Sequence, residues 1–169
     1  LLLMFKDYLV NSGIKEDDII YMNFESAKFD DIKDYKDLYN YVKERIKNER
    51  VYLLLDEVQN IKAFEKAINS FKVDFDIDIY ITGSNAYLLS SELSTLLSGR
   101  YIEIKIYPLS FKEYLKFNDY DNSNLEDKFN EYLKYGGLPA ITLIKNNDEL
   151  VLSYLNDIYS TIVKKDIID

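Results

Sequence analysis

The sequence predicts an α/β fold with a mostly parallel sheet, followed by an all-helical segment. Three observations carry this. β-rich apolar segments alternate with helical spacings as far as about residue 107. One of them, Val51-Tyr52-Leu53-Leu54-Leu55, is apolar throughout, as a strand buried on both faces requires. Beyond Pro108 the β-rich segments stop and only helical spacings recur.

Taken in order, Leu1, Leu2, Phe5 and Leu9 recur at helical spacing, and Asn11-Ser12-Gly13 ends that helix. Ile19 to Phe24 is short and β-rich, so a strand. Residues 25–33 are polar and irregular. Leu38, Val42 and Ile46 then define an amphipathic helix from about Tyr35 to Asn48. The apolar run Val51–Leu55 is the next strand, and Phe64, Ile68 and Phe71 mark the next helix. Ile77 to Thr82 reads as another buried strand, ended by Gly83. Leu89, Leu93, Leu96 and Leu97 give a helix that stops at Gly99. Tyr101 to Ile106 alternates apolar and charged residues, so it is expected as a strand with a wetter face or at a sheet edge. Three helices follow: around Phe111–Leu115, over Leu125–Leu133 to the Gly136-Gly137 stop, and over Val151–Ile162. The expected organisation is a core over 1–107 and a helical segment over 108–169.

Composition narrows the chemistry. The 169 residues contain no Cys and no His. Disulfides, thiolate metal sites, Ser-His-Asp triads and His-ligated metals are therefore excluded. Catalysis by this chain would rest on carboxylates, hydroxyls, amides, Lys and Arg, or on a metal held by oxygen, which suits Mg²⁺, Ca²⁺ or Mn²⁺. The net charge of −9 argues against direct nucleic-acid binding and against an anionic membrane surface. No apolar run approaches the roughly 18 residues of a membrane span. The N-terminal residues have neither a basic region nor a cleavage-like sequence, so a cytoplasmic location is expected.

The sharpest motif is Leu53-Leu54-Leu55-Asp56-Glu57, a buried strand that ends in adjacent carboxylates. Ligands of parallel sheets bind beyond the C-terminal ends of the strands. There the first carboxylate can hold Mg²⁺ and the second can orient an attacking water. Apolar run, Asp, Glu is the Walker B pattern. The plainer reading is a strand that exits into a polar turn. A second strand ends in Thr82-Gly83-Ser84-Asn85, where Ser84 or Asn85 could stand beside a γ-phosphate; Gly-Ser-Asn is also ordinary turn chemistry. Arg100, after Gly99, could reach a phosphate of its own or of a neighbouring subunit, or could simply be a surface residue.

In this order, "YLLLDEVQN", "IYITGSNAYLLS", "LLSGRYIEIKIYPLSFKEYL" and "YLKYGGLPA" resemble the P-loop ATPase domain of the AAA superfamily. The likeness is to its poorly characterised bacterial and archaeal members that carry a further C-terminal domain. It covers nearly the whole chain, and "PLSFKEYL" and "GGLPA" are its most discriminating parts. The resemblance implies a P-loop NTPase-like sheet followed by the start of a helical lid. It implies ATP and Mg²⁺ as cofactors, and homo-oligomers as a possibility. It makes Asp56 the metal-organising residue, Glu57 the water-polarising residue, Ser84 or Asn85 the sensor-1 position and Arg100 a possible arginine finger. Phe64 stands where the family often has Trp. The phosphate-cradling Gly-x-x-x-x-Gly-Lys-[Ser/Thr] is absent from the chain, so no nucleotide-binding residue is assigned. The family places that loop just before the first helix, preceded by a central strand. The chain is accordingly expected to be a trimmed piece that continues at both ends, and to bind no nucleotide alone.

Two other readings compete. Without a phosphate loop, the chain could be a non-catalytic module that works by protein–protein contact. Asp78 with Glu103 and Lys105 loosely fits an Asp…Glu-x-Lys nuclease pattern, for which alternating charge on an edge strand is the simpler account.

Overall fold

A computed structural model of the protein describes residues 1–83, 97, 101–121, 123–144 and 147–163, the last of them by its backbone alone. The chain divides into two compact units, Leu1–Tyr101 and Ile102–Asp169.

The first unit is a three-stranded parallel sheet in the order β1-β2-β3 with helices on both faces. Its elements are α1 (Leu2–Asn11), β1 (Ile19–Asn23), α2 (Tyr35–Lys43), β2 (Arg50–Asp56), α3 (Phe64–Asp74) and β3 (Asp76–Ile81). Successive side chains of a strand face opposite ways, and that parity sorts the core. Ile20, Met22, Val51, Leu53 and Leu55 face α2 and α3 and join Leu38, Val42, Phe64, Ile68 and Phe71. Ile19 and Leu54, with Tyr21, Tyr52 and Tyr80 beside them, face Leu2, Phe5 and Leu9 of α1. β2 lies between two strands and two helical layers, which is why its sequence is apolar at consecutive positions.

Helix α2 begins at a reciprocal capping box. The Asp34 carboxylate accepts from the backbone N–H groups of Lys36 and Asp37, and Asp37 accepts from the Asp34 N–H. It ends at Lys43, several residues before the predicted Asn48, where the last turn tightens. Arg45 N donates to the Val42 carbonyl at 2.9 Å, and the Arg45 guanidinium donates to the Tyr41 carbonyl at 2.9 Å.

Two expectations need correction. β3 is half-buried along Ile77–Ile81 rather than buried, because among the described residues it pairs only with β2. Tyr101–Ile106 is not a strand. Ile102, Ile104 and Ile106 are 90%, 74% and 65% exposed. An alternating sequence becomes a strand only where a neighbour completes the ladder and one face is covered, and among the described residues this segment has no pairing partner. The helix expected over Leu89–Leu97 lies outside the described residues except for Leu97.

The second unit contains α4 (Phe111–Phe117), α5 (Leu125–Tyr135) and α6 (Asp148–Val163). Phe111, Tyr114, Phe129 and Tyr132 pack α4 on α5, with Phe111 and Phe129 ring centroids 5.0 Å apart. The buried Tyr114 donates from its hydroxyl to Glu131 at 2.6 Å. Gly136 closes α5 at φ +77, a conformation that favours glycine. Gly137 lies against the Leu109 backbone so closely that a Cβ would overlap the Leu109 carbonyl oxygen. Leu109 N donates to the Gly137 carbonyl at 2.8 Å, and the Tyr132 hydroxyl donates to the Leu109 carbonyl at 2.8 Å. The "PLSFKEYL" and "GGLPA" segments thus meet in a backbone-to-backbone joint, which accounts for Gly137 by packing. Among the described residues, no helix is long and apolar enough to cross a membrane.

Candidate functional site

The site is built at the C-terminal end of β2. Asp56 is the last residue of that strand and shares the parity of Tyr52 and Leu54, toward the α1 face. Its carbonyl accepts from Phe24 N at 3.0 Å, which fixes the strand end against β1. Both carboxylate oxygens are held. Tyr21, of the same parity on β1, donates its hydroxyl to Oδ2 at 3.1 Å, and Thr82 donates its hydroxyl to Oδ1. Burial first, and then the bond and proximity to Asp56, push the Tyr21 phenol above its ordinary pKa. Tyr21 therefore remains a neutral donor at physiological pH.

Thr82 is positioned by the sheet itself. The β2–β3 register ends at Leu55 opposite Ile81, and the ladder runs one step further. Thr82 N donates to the Leu55 carbonyl at 2.9 Å, and Val58 N donates to the Thr82 carbonyl at 3.1 Å. Its hydroxyl oxygen also accepts from Glu57 N at 3.4 Å. One threonine thus touches both acidic residues of the pair.

Glu57 leaves the strand in the left-handed conformation, φ 56 and ψ 46. For a residue with a Cβ this costs of order 1 kcal/mol and is sustained by the surrounding contacts. The reversal leads into a 3-10 turn over Val58–Asn60, anchored by the buried Val58. The turn brings Gln59 back onto Glu57, and Gln59 Nε2 donates to Glu57 Oε2 at 2.6 Å.

Chemically, Asp56 is a carboxylate whose bonds come from neutral hydroxyls, and among the described residues it forms no ion pair. Its oxygens are hard donors of the kind a divalent cation takes. Among the described residues no group of three or more acidic side chains converges to hold a metal.

The remaining sequence candidates distribute as follows. Ser84, Asn85 and Arg100 lie outside the described residues. Asp78 is engaged by Arg50 at 2.8 Å, while Glu103 and Lys105 face each other at 3.7 Å. Tyr21, Thr82 and Gln59 were not singled out by sequence reasoning. Strand parity places Tyr21 and Asp56 on one face, and Thr82 closes the strand that ends in the Gly83 turn. Those were the available signals. Gln59 carried none, because i, i+2 side chains meet only through the Glu57 reversal.

Comparison with known proteins gives concordant results. A family model described as "AAA domain" matches residues 1–115. An uncharacterized protein of Haemophilus influenzae is 46% identical over 171 residues, covering 99% of this chain and 42% of that protein. Two uncharacterized proteins of Methanocaldococcus jannaschii, MJ1544 and MJ1637, are 34% and 27% identical, covering 89% and 91% of this chain and 36% and 30% of their own lengths. The chain therefore spans less than half the length of these curated relatives. No solved structure matches it.

Proposed function

This chain belongs to the AAA domain family, and from that premise we propose that it carries the metal-organising and water-polarising half of an ATP-hydrolysing site. The observation that carries the reading is the Asp56–Glu57 pair at the C-terminal end of the middle parallel strand, with Asp56 held on both oxygens by neutral hydroxyls. Asp56 is the residue that would hold Mg²⁺. The chemistry supplied by a bound Mg²⁺ is neutralisation of charge on the phosphate oxygens. Tyr21 and Thr82 keep the Asp56 carboxylate oriented. Glu57 accepts a hydrogen bond from the attacking water and aims it in line with the γ-phosphorus. Ser84 or Asn85 senses the γ-phosphate, and Arg100 stabilises transition-state charge, in its own subunit or across a homo-oligomer interface.

The core over 1–107 serves this chemistry, and 108–169 begins a helical lid. The Gly-x-x-x-x-Gly-Lys-[Ser/Thr] cradle is not in the chain, so ATP turnover is proposed for the intact protein. Glu57→Gln in the intact protein keeps the shape and removes the charge that polarises water. Turnover should fall about 100- to 10,000-fold with ATP affinity retained. Unchanged turnover would remove Glu57 from the mechanism. The competing reading, a non-catalytic protein-interaction module, predicts that the 169-residue chain alone binds no nucleotide; micromolar binding in a calorimetric titration with ATP and Mg²⁺ would overturn it.

A further inference from the structure

We propose that Gln59 is a positioning residue for the Glu57 carboxylate, an inference that rests on the ATPase reading above. Gln59 lies two residues after Glu57, a separation at which helical side chains point apart. Here the left-handed Glu57 and the following 3-10 turn fold the amide back, and its Nε2 donates to Glu57 Oε2 at 2.6 Å. The reverse orientation would set two acceptor oxygens against each other, so electrostatics chooses the donor. The choice leaves Gln59 Oε1 buried and, among the described residues, without a hydrogen-bond partner. A buried orphan acceptor is unfavourable and rare in folded proteins. The turn accepts it to keep the amide nitrogen on Glu57.

The consequence is geometric. A hydrogen bond to one oxygen of a planar carboxylate fixes the plane of the group, and with it the direction in which its second oxygen faces. A carboxylate that must aim water along one line gains from such a restraint, since misplacement by about 1 Å can cost up to about 100-fold in rate. Asp56 has Tyr21 and Thr82 to orient it. Gln59 does the same for Glu57.

Gln59→Met in the intact protein tests this, because Met matches the side chain in length and removes both the donor and the orphan acceptor. The expected result is a kcat lower by about 10- to 100-fold, with the KM for ATP changed less than about twofold and the melting temperature unchanged or raised. In a Glu57→Ala background, where there is no carboxylate left to orient, the same substitution should leave residual single-turnover hydrolysis unchanged. Equal rate losses in both backgrounds, a wild-type kcat, or a loss confined to KM would each overturn the proposal. Should Gln59→Met fold poorly, the side-chain amide resonance of Gln59 in the otherwise unaltered protein replaces it. Slow exchange that is lost in Glu57→Ala supports the clamp, and exchange indifferent to that substitution overturns it. No ATP turnover by the unaltered intact protein would overturn the ATPase reading and this inference together; full turnover by Glu57→Gln, or abolished turnover there beside a fully active Gln59→Met, would overturn this inference alone.

Discussion

β2 and the segment Tyr101–Ile106 both read as strands in the sequence and have opposite fates. Val51, Leu53, Leu54 and Leu55 are buried, with a parallel partner on each side and helices above and below. Ile102, Ile104 and Ile106 are exposed, and the backbone between them forms no ladder among the described residues. The difference lies in the partners available and not in local propensity, which measures how well a residue fits a pleated, half-covered surface. It also bears on function. Adjacent carboxylates at the end of a strand are useful only if that strand is immobile. Among the described residues, Asp56 and Glu57 stand at the end of the one strand that is held on both edges.

The largest expected difference between the two regions is in amide exchange. Amides of Leu53–Leu55 should open only with unfolding of the first unit, which corresponds to protection of about a thousandfold or more. Amides of Ile102–Ile106 should exchange within about tenfold of an unstructured chain. Comparable protection in both segments, read by hydrogen–deuterium exchange, would show that Tyr101–Ile106 has a ladder partner in solution and would dissolve the contrast.

The contrast explains what was legible in advance. Parallel strand direction follows from alternation of element types, and β2 was readable because double burial leaves an uninterrupted apolar run. Asp56 and Glu57 were readable because polarity changes abruptly where that run stops. Strand Tyr101–Ile106 was misread because alternation reports a capacity to pair and says nothing of whether a partner is present. Half-burial of β3 was missed for the same reason, since Ile77, Ile79 and Ile81 look identical in sequence on an edge and in a centre. The hydrogen-bonded shell of the site was illegible for another reason. Tyr21, Thr82 and Gln59 reach the carboxylates through register, a one-residue ladder extension and a left-handed turn, none of which leaves a periodic mark. The opposite held for "GGLPA". Its pattern was conspicuous while its reason, contact between Gly137 and the Leu109 backbone, was visible only in three dimensions.

A substitution in β2 sharpens the comparison at smaller amplitude. Leu54 is fully buried against Leu2, Leu9 and Ile19. Leu54→Ala removes its transfer free energy and leaves a cavity between the sheet and α1, a loss of about 2–5 kcal/mol. Chemical denaturation should show this as a lower midpoint with an unchanged denaturant slope. A loss below about 1 kcal/mol would mean that α1 collapses onto the gap, and that the α1 face of β2 is less tightly packed than the opposite face.

The smallest expected effect belongs to Ile104→Ala. Ile104 is mostly exposed, so truncation returns little apolar surface to water and creates no cavity. The change in unfolding free energy should stay within about 0.5 kcal/mol, as for surface positions generally. The residue is nonetheless the middle one of three isoleucines spaced by two, which is the side-chain period of a strand face. If some other part of the protein packs on this face, the three would be covered together and Ile104, in the middle, would be the most covered of them. A loss of about 2 kcal/mol or more would then appear in place of the small one. The two outcomes differ by more than the error of a denaturation midpoint, so this single substitution decides whether the isoleucine face of Tyr101–Ile106 is covered in solution.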